Sequence, residues 1–237
     1  MRLEKGTDLS CEDFETIFTN PFIQYDWLKG ELLMKFTVVK PVILASASPR
    51  RKEILSLLGF PFTVVPSNVA EDLAVENDDF EGYARQLAAM KTQAVANEEQ
   101  GSIVIGADTI VVYKGKLYSK PESKEQARAF LEELSGKTHS VITGVGVFTD
   151  DKICTFSVQT KVTFRELDDM LINAYVESGD PMDKAGGYGI QTAGALLVDK
   201  IDGDYYNVMG LPIAKLTEYM RKLGFMELNG GVSFIDN

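Results

Sequence analysis

With 237 residues, 45% of them hydrophobic and 25% charged, the chain has ordinary globular composition and enough apolar side chains for a sizeable core. A formal net charge of −11 argues against the broad basic face with which proteins grip nucleic acid, and no stretch approaches the roughly 20 uninterrupted apolar residues of a membrane span. Two cysteines, Cys11 and Cys154, and one histidine, His139, are too few for a disulfide framework, a paired-cysteine metal site or a three-histidine zinc site, so acid–base chemistry falls to carboxylates and lysines.

Residues 1–33 carry scattered aromatics (Phe14, Phe18, Phe22, Tyr25, Trp27) without a period, and acidic residues where a secretory leader would be basic and then apolar. They read as an N-terminal extension, natural or the product of a misassigned start, since Met34 stands just ahead of the patterned region. The chain reads as cytoplasmic. From Pro41 onward, strands and helices alternate. The apolar run 41–44 leads into Ala45-Ser46-Ala47-Ser48 and then a helix start: Ser48 suits the N-cap, and Pro49 the first helical position, where a missing N–H costs nothing. Arg50 and Arg51 fall in the first turn, where the helix dipole is already positive. Either both are solvated or an anion such as phosphate lies beside them.

Residues 62–65 suit a short strand, and Phe80, Tyr83, Ala84, Leu87, Ala88, Ala94 and Val95 recur at helical spacing. Lys91 lies on that stripe, reaching either to water from its edge or into a cleft. Residues 103–105 and 110–113 read as two strands around Gly106-Ala107-Asp108-Thr109, which puts Asp108 at a strand end, where a base or metal ligand is commonly mounted. The alternative is a turn aspartate bonding its own backbone. Lys114-Gly115 turns the chain back, and Lys120-Pro121 follows, its lysine either returning to the same site or remaining on the surface.

Ser123 and Gln126 form a capping box for a helix carrying Ala127, Phe130, Leu131 and Leu134, stopped by Gly136. Residues 141–148 and 153–164 make a long hairpin turned at Asp150-Asp151. A helix through Leu167, Leu171, Ala174 and Tyr175 ends at Gly179, and a last one over 212–223 ends at Gly224. Between them, the glycine-rich segment 181–191 lacks both the Walker pattern and the dinucleotide fingerprint, but its Tyr188 and Gln191 suit stacking on, and hydrogen bonding to, a flat heterocycle. One α/β domain over residues 34–225 is expected, a mixed and strongly curved sheet flanked by helices, with 226–237 as a C-terminal tail. An anion-binding helix start, a carboxylate for metal or water and a loop that reads a base together compose a nucleotide site.

At these residues the chain closely resembles the Maf family of nucleoside triphosphate pyrophosphatases. The resemblance runs through Leu44-Ala45-Ser46-Ala47-Ser48-Pro49-Arg50-Arg51, Val104-Ile105-Gly106-Ala107-Asp108-Thr109, Lys120-Pro121, the stretch 134–141, the segment 181–191 and the stretch 201–212, covering about residues 38–225 in order. It implies a Maf/inosine triphosphatase-like fold, a homodimer, and cleavage of a nucleoside triphosphate to monophosphate and diphosphate with Mg²⁺ or Mn²⁺. Asp108 is then the proton acceptor and, with Glu71, a metal ligand, with Glu71, Lys91 and Lys120 as catalytic partners and Ser46, Arg50 and Arg51 as phosphate contacts. The register at Glu71 rests on Ser67 and Leu73, with Asp72 adjacent. Arg50, Thr109 and Gln191 match the subgroup that cleaves dTTP and UTP, a house-cleaning role in the nucleotide pool. The alternatives are the 7-methyl-GTP pyrophosphatases of the same family and a non-hydrolysing, nucleotide-binding regulator of cell division.

Overall fold

The computed structural model describes residues 25–26, 31–32, 35–69, 73–149 and 152–229. At its centre is a seven-stranded mixed sheet. Strand β4 (Val42–Ala45) lies between β5 (Phe62–Val64) and β6 (Ile103–Tyr113), parallel to both. Its four residues are all buried, as expected of a parallel strand covered on both faces. The other edge of β6 pairs with the antiparallel hairpin of β8 (Thr138–Thr149) and β9 (Lys152–Phe164), and β10 (Val198–Asp202) adds the last strand. The strand order is open rather than closed, and the sheet is not strongly curled, in contrast to the expected curvature. Two small antiparallel pairs stand apart: β1 (Tyr25–Asp26) with β2 (Glu31–Leu32), and β3 (Lys35–Val38) with β11 (Met226–Asn229), whose Met226 is buried in the main core.

The edge of β6 that faces β4 is shared. β4 pairs with it as far as Gly106, and the short strand β7 (Lys116–Tyr118), returned by the Lys114-Gly115 turn, pairs with it only from Val111. Across 107–110 no strand among the described residues occupies that edge, and a cleft opens there. The expected pair of strands around 106–109 is therefore one continuous strand of 11 residues, and Asp108 sits in its middle, not at an end or in a turn. The small residues that suggest a turn serve helix packing. Gly106, Gly144 and Gly146 lie under helix α2 (Phe80–Ala96), and a Cβ on any of them would collide with Thr92 or with the backbone at Ala84 and Ala88. The helix thus settles unusually close to β6 and β8.

Alternation along β6 sorts the two faces. Ile110 and Val112 join Tyr83, Ala84 and Leu87 of α2 in one apolar cluster. Ile103, Ile105 and Ala107 join a larger core with Ile54 and Leu55 of helix α1 (Pro49–Ser56) and Leu216 and Met220 of helix α6 (Ile213–Lys222). Further along that second face, Val111, Val141 and Phe164 pack against helices α3 (Lys124–Leu134) and α4 (Asp169–Glu177). The caps follow the sequence closely: Ser48 accepts from the Arg51 amide and Ser123 from the Gln126 amide. The second arm of the capping box differs, because Gln126 Oε1 accepts from the Glu122 amide at 2.6 Å. Strand β10 and the short helix α5 (Tyr205–Met209), capped by Asp204, were not anticipated; the Asp150-Asp151 turn lies outside the described residues. No helix among the described residues is long and apolar enough to cross a membrane.

Candidate active site

A cavity of about 630 Å³ occupies the cleft left open along β6. Because the cleft lies at a strand edge, side chains from both faces of the sheet reach it. Asp108 points to the α2 side and Thr109 to the α1 side, yet both line the same space. Ser46, Arg50, Arg51, Lys91, Lys120 and Gln191 line it as well, so eight of the nine expected site residues converge. The ninth, Glu71, lies outside the described residues.

On the α2 side, Lys91 Nζ donates to Asp108 Oδ1. Both side chains are largely buried, so the lysine on the helical stripe does enter a cleft. Close packing of α2 on the glycine-lined strands brings the helix near enough for this contact. Neither group meets enough water to screen the pair strongly.

On the α1 side, the loop after β4 folds back on itself. Ser46 Oγ accepts from the Ser48 amide at 3.2 Å and from Arg51 Nη1 at 3.3 Å. Arg51 is further held by Gly210, whose carbonyl accepts from Nε at 2.8 Å, and by Thr109, whose hydroxyl accepts from Nη2 at 3.1 Å. Arg50 turns the other way, across the cavity mouth, and pairs with Asp183 Oδ2 at 3.3 Å. The positive charge that opposes the α1 dipole thus meets a carboxylate of the protein itself, one exposed enough to yield to a stronger anion.

Asp183 belongs to the glycine-rich segment, which a buried lysine organises. Lys184 Nζ donates to Asp183 Oδ1 at 2.6 Å and to Asp180 Oδ1 at 3.1 Å and its carbonyl at 2.7 Å. Asp180 Oδ2 accepts from Tyr175 Oη at 2.6 Å and from Thr192 Oγ1 at 2.5 Å. Burial pushes the Asp180 carboxyl up, but the bonds from Thr192, Tyr175 and Lys184 outweigh it and hold its pKa below the ordinary value. This network fixes the backbone that presents Gln191 to the cavity. Tyr188 lines the cavity but offers little of the expected stacking face. Its ring is 5% exposed and packs edge-to-face with His139 and Phe164, and its hydroxyl meets His139 Nε2 at 2.8 Å. Burial lowers the pKa of His139 to about 4, so at neutral pH it is an uncharged core residue.

Sequence reasoning missed Lys184 and Asp180, since a lysine in a glycine-rich loop carries no sign of burial. It also missed Ser67 and Glu122 in the lining, and Thr143 and Asn207 behind it. Among the described residues no group of three His, Cys, Asp or Glu side chains is placed to hold a metal ion.

Comparison with known proteins gives concordant results. The family model described as "Maf-like protein" matches residues 41–223. Proteins named dTTP/UTP pyrophosphatase from Bacillus anthracis (strain CDC 684 / NRRL 3495), Bacillus cereus (strain ATCC 10987 / NRS 248) and Bacillus thuringiensis subsp. konkukian (strain 97-27) are each 46% identical over 184 residues. Each alignment spans 78% of this chain, and 96%, 90% and 96% of the respective relative.

Proposed function

The chain belongs to the Maf family, and from that premise we propose that it hydrolyses dTTP and UTP to the nucleoside monophosphate and diphosphate. The observation that carries this reading is the convergence, in one cavity, of the Lys91–Asp108 pair, the arginine-bearing start of α1 and the amide of Gln191. A volume of about 630 Å³ accommodates a nucleotide-sized ligand.

Arg50 and the α1 N-terminus receive the phosphates, which displace Asp183 from Arg50, while Arg51 presents its remaining charge from a fixed position. Asp108 takes the proton of a water that attacks the α-phosphorus, and the bond to the bridging oxygen breaks with its electron pair leaving on diphosphate. Lys91 holds the carboxylate in place, and Lys120 adds positive charge opposite the developing negative charge. Gln191 offers both an acceptor and a donor to the edge of the base.

The donor chemistry suits Mg²⁺ or Mn²⁺. Such ions take one or two carboxylates and complete their shell with water and substrate phosphates, and the Asp108 carboxylate, whose Oδ1 accepts from Lys91, lines the cavity where such an ion would lie. Asp108 and, by the family resemblance, Glu71 would hold the ion, which when bound would neutralise phosphate charge and acidify a water. The test is diphosphate release from a panel of canonical and modified nucleoside triphosphates with Mg²⁺ or Mn²⁺. dTTP and UTP should lead the panel. Preference for 7-methyl-GTP would move the chain to the other subgroup, and nucleotide binding without release would make it a regulator.

A further inference from the structure

Behind Arg51 runs a chain of hydrogen bonds whose direction is fixed by chemistry. Thr143 Oγ1 lies 2.9 Å from the Asn207 carbonyl, which can only accept, so the single hydroxyl proton of Thr143 is committed there. The Thr109 and Thr143 hydroxyls are 3.0 Å apart, and with the Thr143 proton spent, Thr109 must be the donor. Thr109 Oγ1 then faces Arg51 as an acceptor, matching a guanidinium that can only donate. The order is Arg51 to Thr109 to Thr143 to Asn207.

The far end of the chain is anchored. Asn207 is fully buried on α5, and its side-chain amide donates to the Val141 carbonyl at 3.0 Å and to Thr160 Oγ1 at 2.9 Å. The carbonyl of Gly210, which ends the same helix, holds Arg51 Nε. Arg51 is therefore clasped between α5 and β6, and fully buried Thr143, directly opposite Thr109 in the β6–β8 register, ties the two together.

We infer that Thr143 is a positioning residue for substrate, acting through Thr109 to orient the Arg51 guanidinium toward the phosphates. This rests on the proposed reading of Arg51 as a phosphate contact. Without the Thr143 hydroxyl, the Thr109 proton is free to turn toward Arg51, and the guanidinium loses a fixed acceptor on its cavity side.

The test is a set of five proteins assayed for diphosphate release from dTTP: wild type, Thr143→Val, Thr143→Ser, Arg51→Lys, and Thr143→Val combined with Arg51→Lys. Thr143→Val should raise KM about tenfold with kcat changed less than about threefold, and Thr143→Ser should stay within about twofold of wild type. In the Arg51→Lys background the same valine should cost less than about twofold. An unchanged KM, a serine variant as impaired as valine, or an equal loss in both backgrounds would overturn the inference. Should the valine variant not fold, by circular dichroism, Thr143→Ala removes the same hydroxyl and must give the same pattern. A wild type that releases no diphosphate would refute the pyrophosphatase reading instead, and the same pattern must then appear in the calorimetric Kd of dTTP.

Discussion

Lys91 on α2 and Asp108 on β6 form an ion pair at the interface between helix and sheet, with only about a tenth of each side chain exposed. A carboxylate so placed keeps a fixed orientation and a lysine at hand, and its contact with water is confined to the cavity it lines. These are the conditions under which a single carboxylate acts as a base on a bound, ordered water.

Replacing Asp108 with Asn tests that assignment directly. The amide matches the carboxylate in shape and its oxygen still accepts from Lys91, so the fold should persist by circular dichroism, at some cost in stability from the lost counter-charge, while kcat for diphosphate release falls by about 10³-fold. Turnover at the wild-type rate would remove Asp108 from the mechanism.

Gln191→Glu exchanges the donor half of the amide for a second acceptor at the same place. Measured across a nucleotide panel, kcat/KM for UTP and dTTP should fall by about tenfold or more, with smaller changes for purine nucleotides. A uniform loss over all bases would show that Gln191 supports the loop without reading the base.

Lys184→Met leaves Asp180 half-enclosed without its cation, and should cost about 3 kcal/mol in denaturant unfolding. In the wild type, Asp183 also sits below the ordinary carboxyl value: burial pushes it up, and Lys184 and Arg50 more than offset this. Carboxyls with depressed pKa values contribute stability that is present above the unfolded value and lost as pH falls through the folded one. The methionine variant should therefore lose less stability than the wild type on acidification below the ordinary carboxyl range. Parallel curves for the two proteins would contradict the network.

His139 gives a separate acid signature. Its folded pKa, lowered from 6.5 to about 4 by burial, means the unfolded chain binds the proton more readily between those values. Its contribution is intact above pH 6.5 and is lost progressively toward pH 4, up to about 3 kcal/mol. His139→Gln should flatten the unfolding free energy over that window, whatever its effect at neutral pH; an unaltered slope would show that His139 is not the titrating group.

Much of this was legible in the sequence because local chemistry dictated it. The Ser48-Pro49 helix start, the Ser123 cap, the stripe of α2 and the buried run of β4 each follow from interactions within a few residues. Asp108, Lys91, Arg50, Arg51 and Gln191 could be singled out because charge or an amide stood among apolar or small residues. What escaped depends on distant partners. Gly106 reads as a turn until α2 is placed over it, Tyr188 reads as a stacking face until His139 and Phe164 enclose it, and Thr143 is unremarkable until Asn207 and Thr109 meet it from other elements.

The stretch of strand edge along 107–110, which neither β4 nor β7 covers, has a consequence for how the site withstands change. Main-chain amides and carbonyls on that edge are offered to whatever fills the cleft, and they are identical for every amino acid placed there. Side-chain scanning across these positions will therefore understate what the strand contributes to a ligand. An insertion that lengthened β4 or β7 by two residues would zip the edge shut and abolish binding with every named side chain still present.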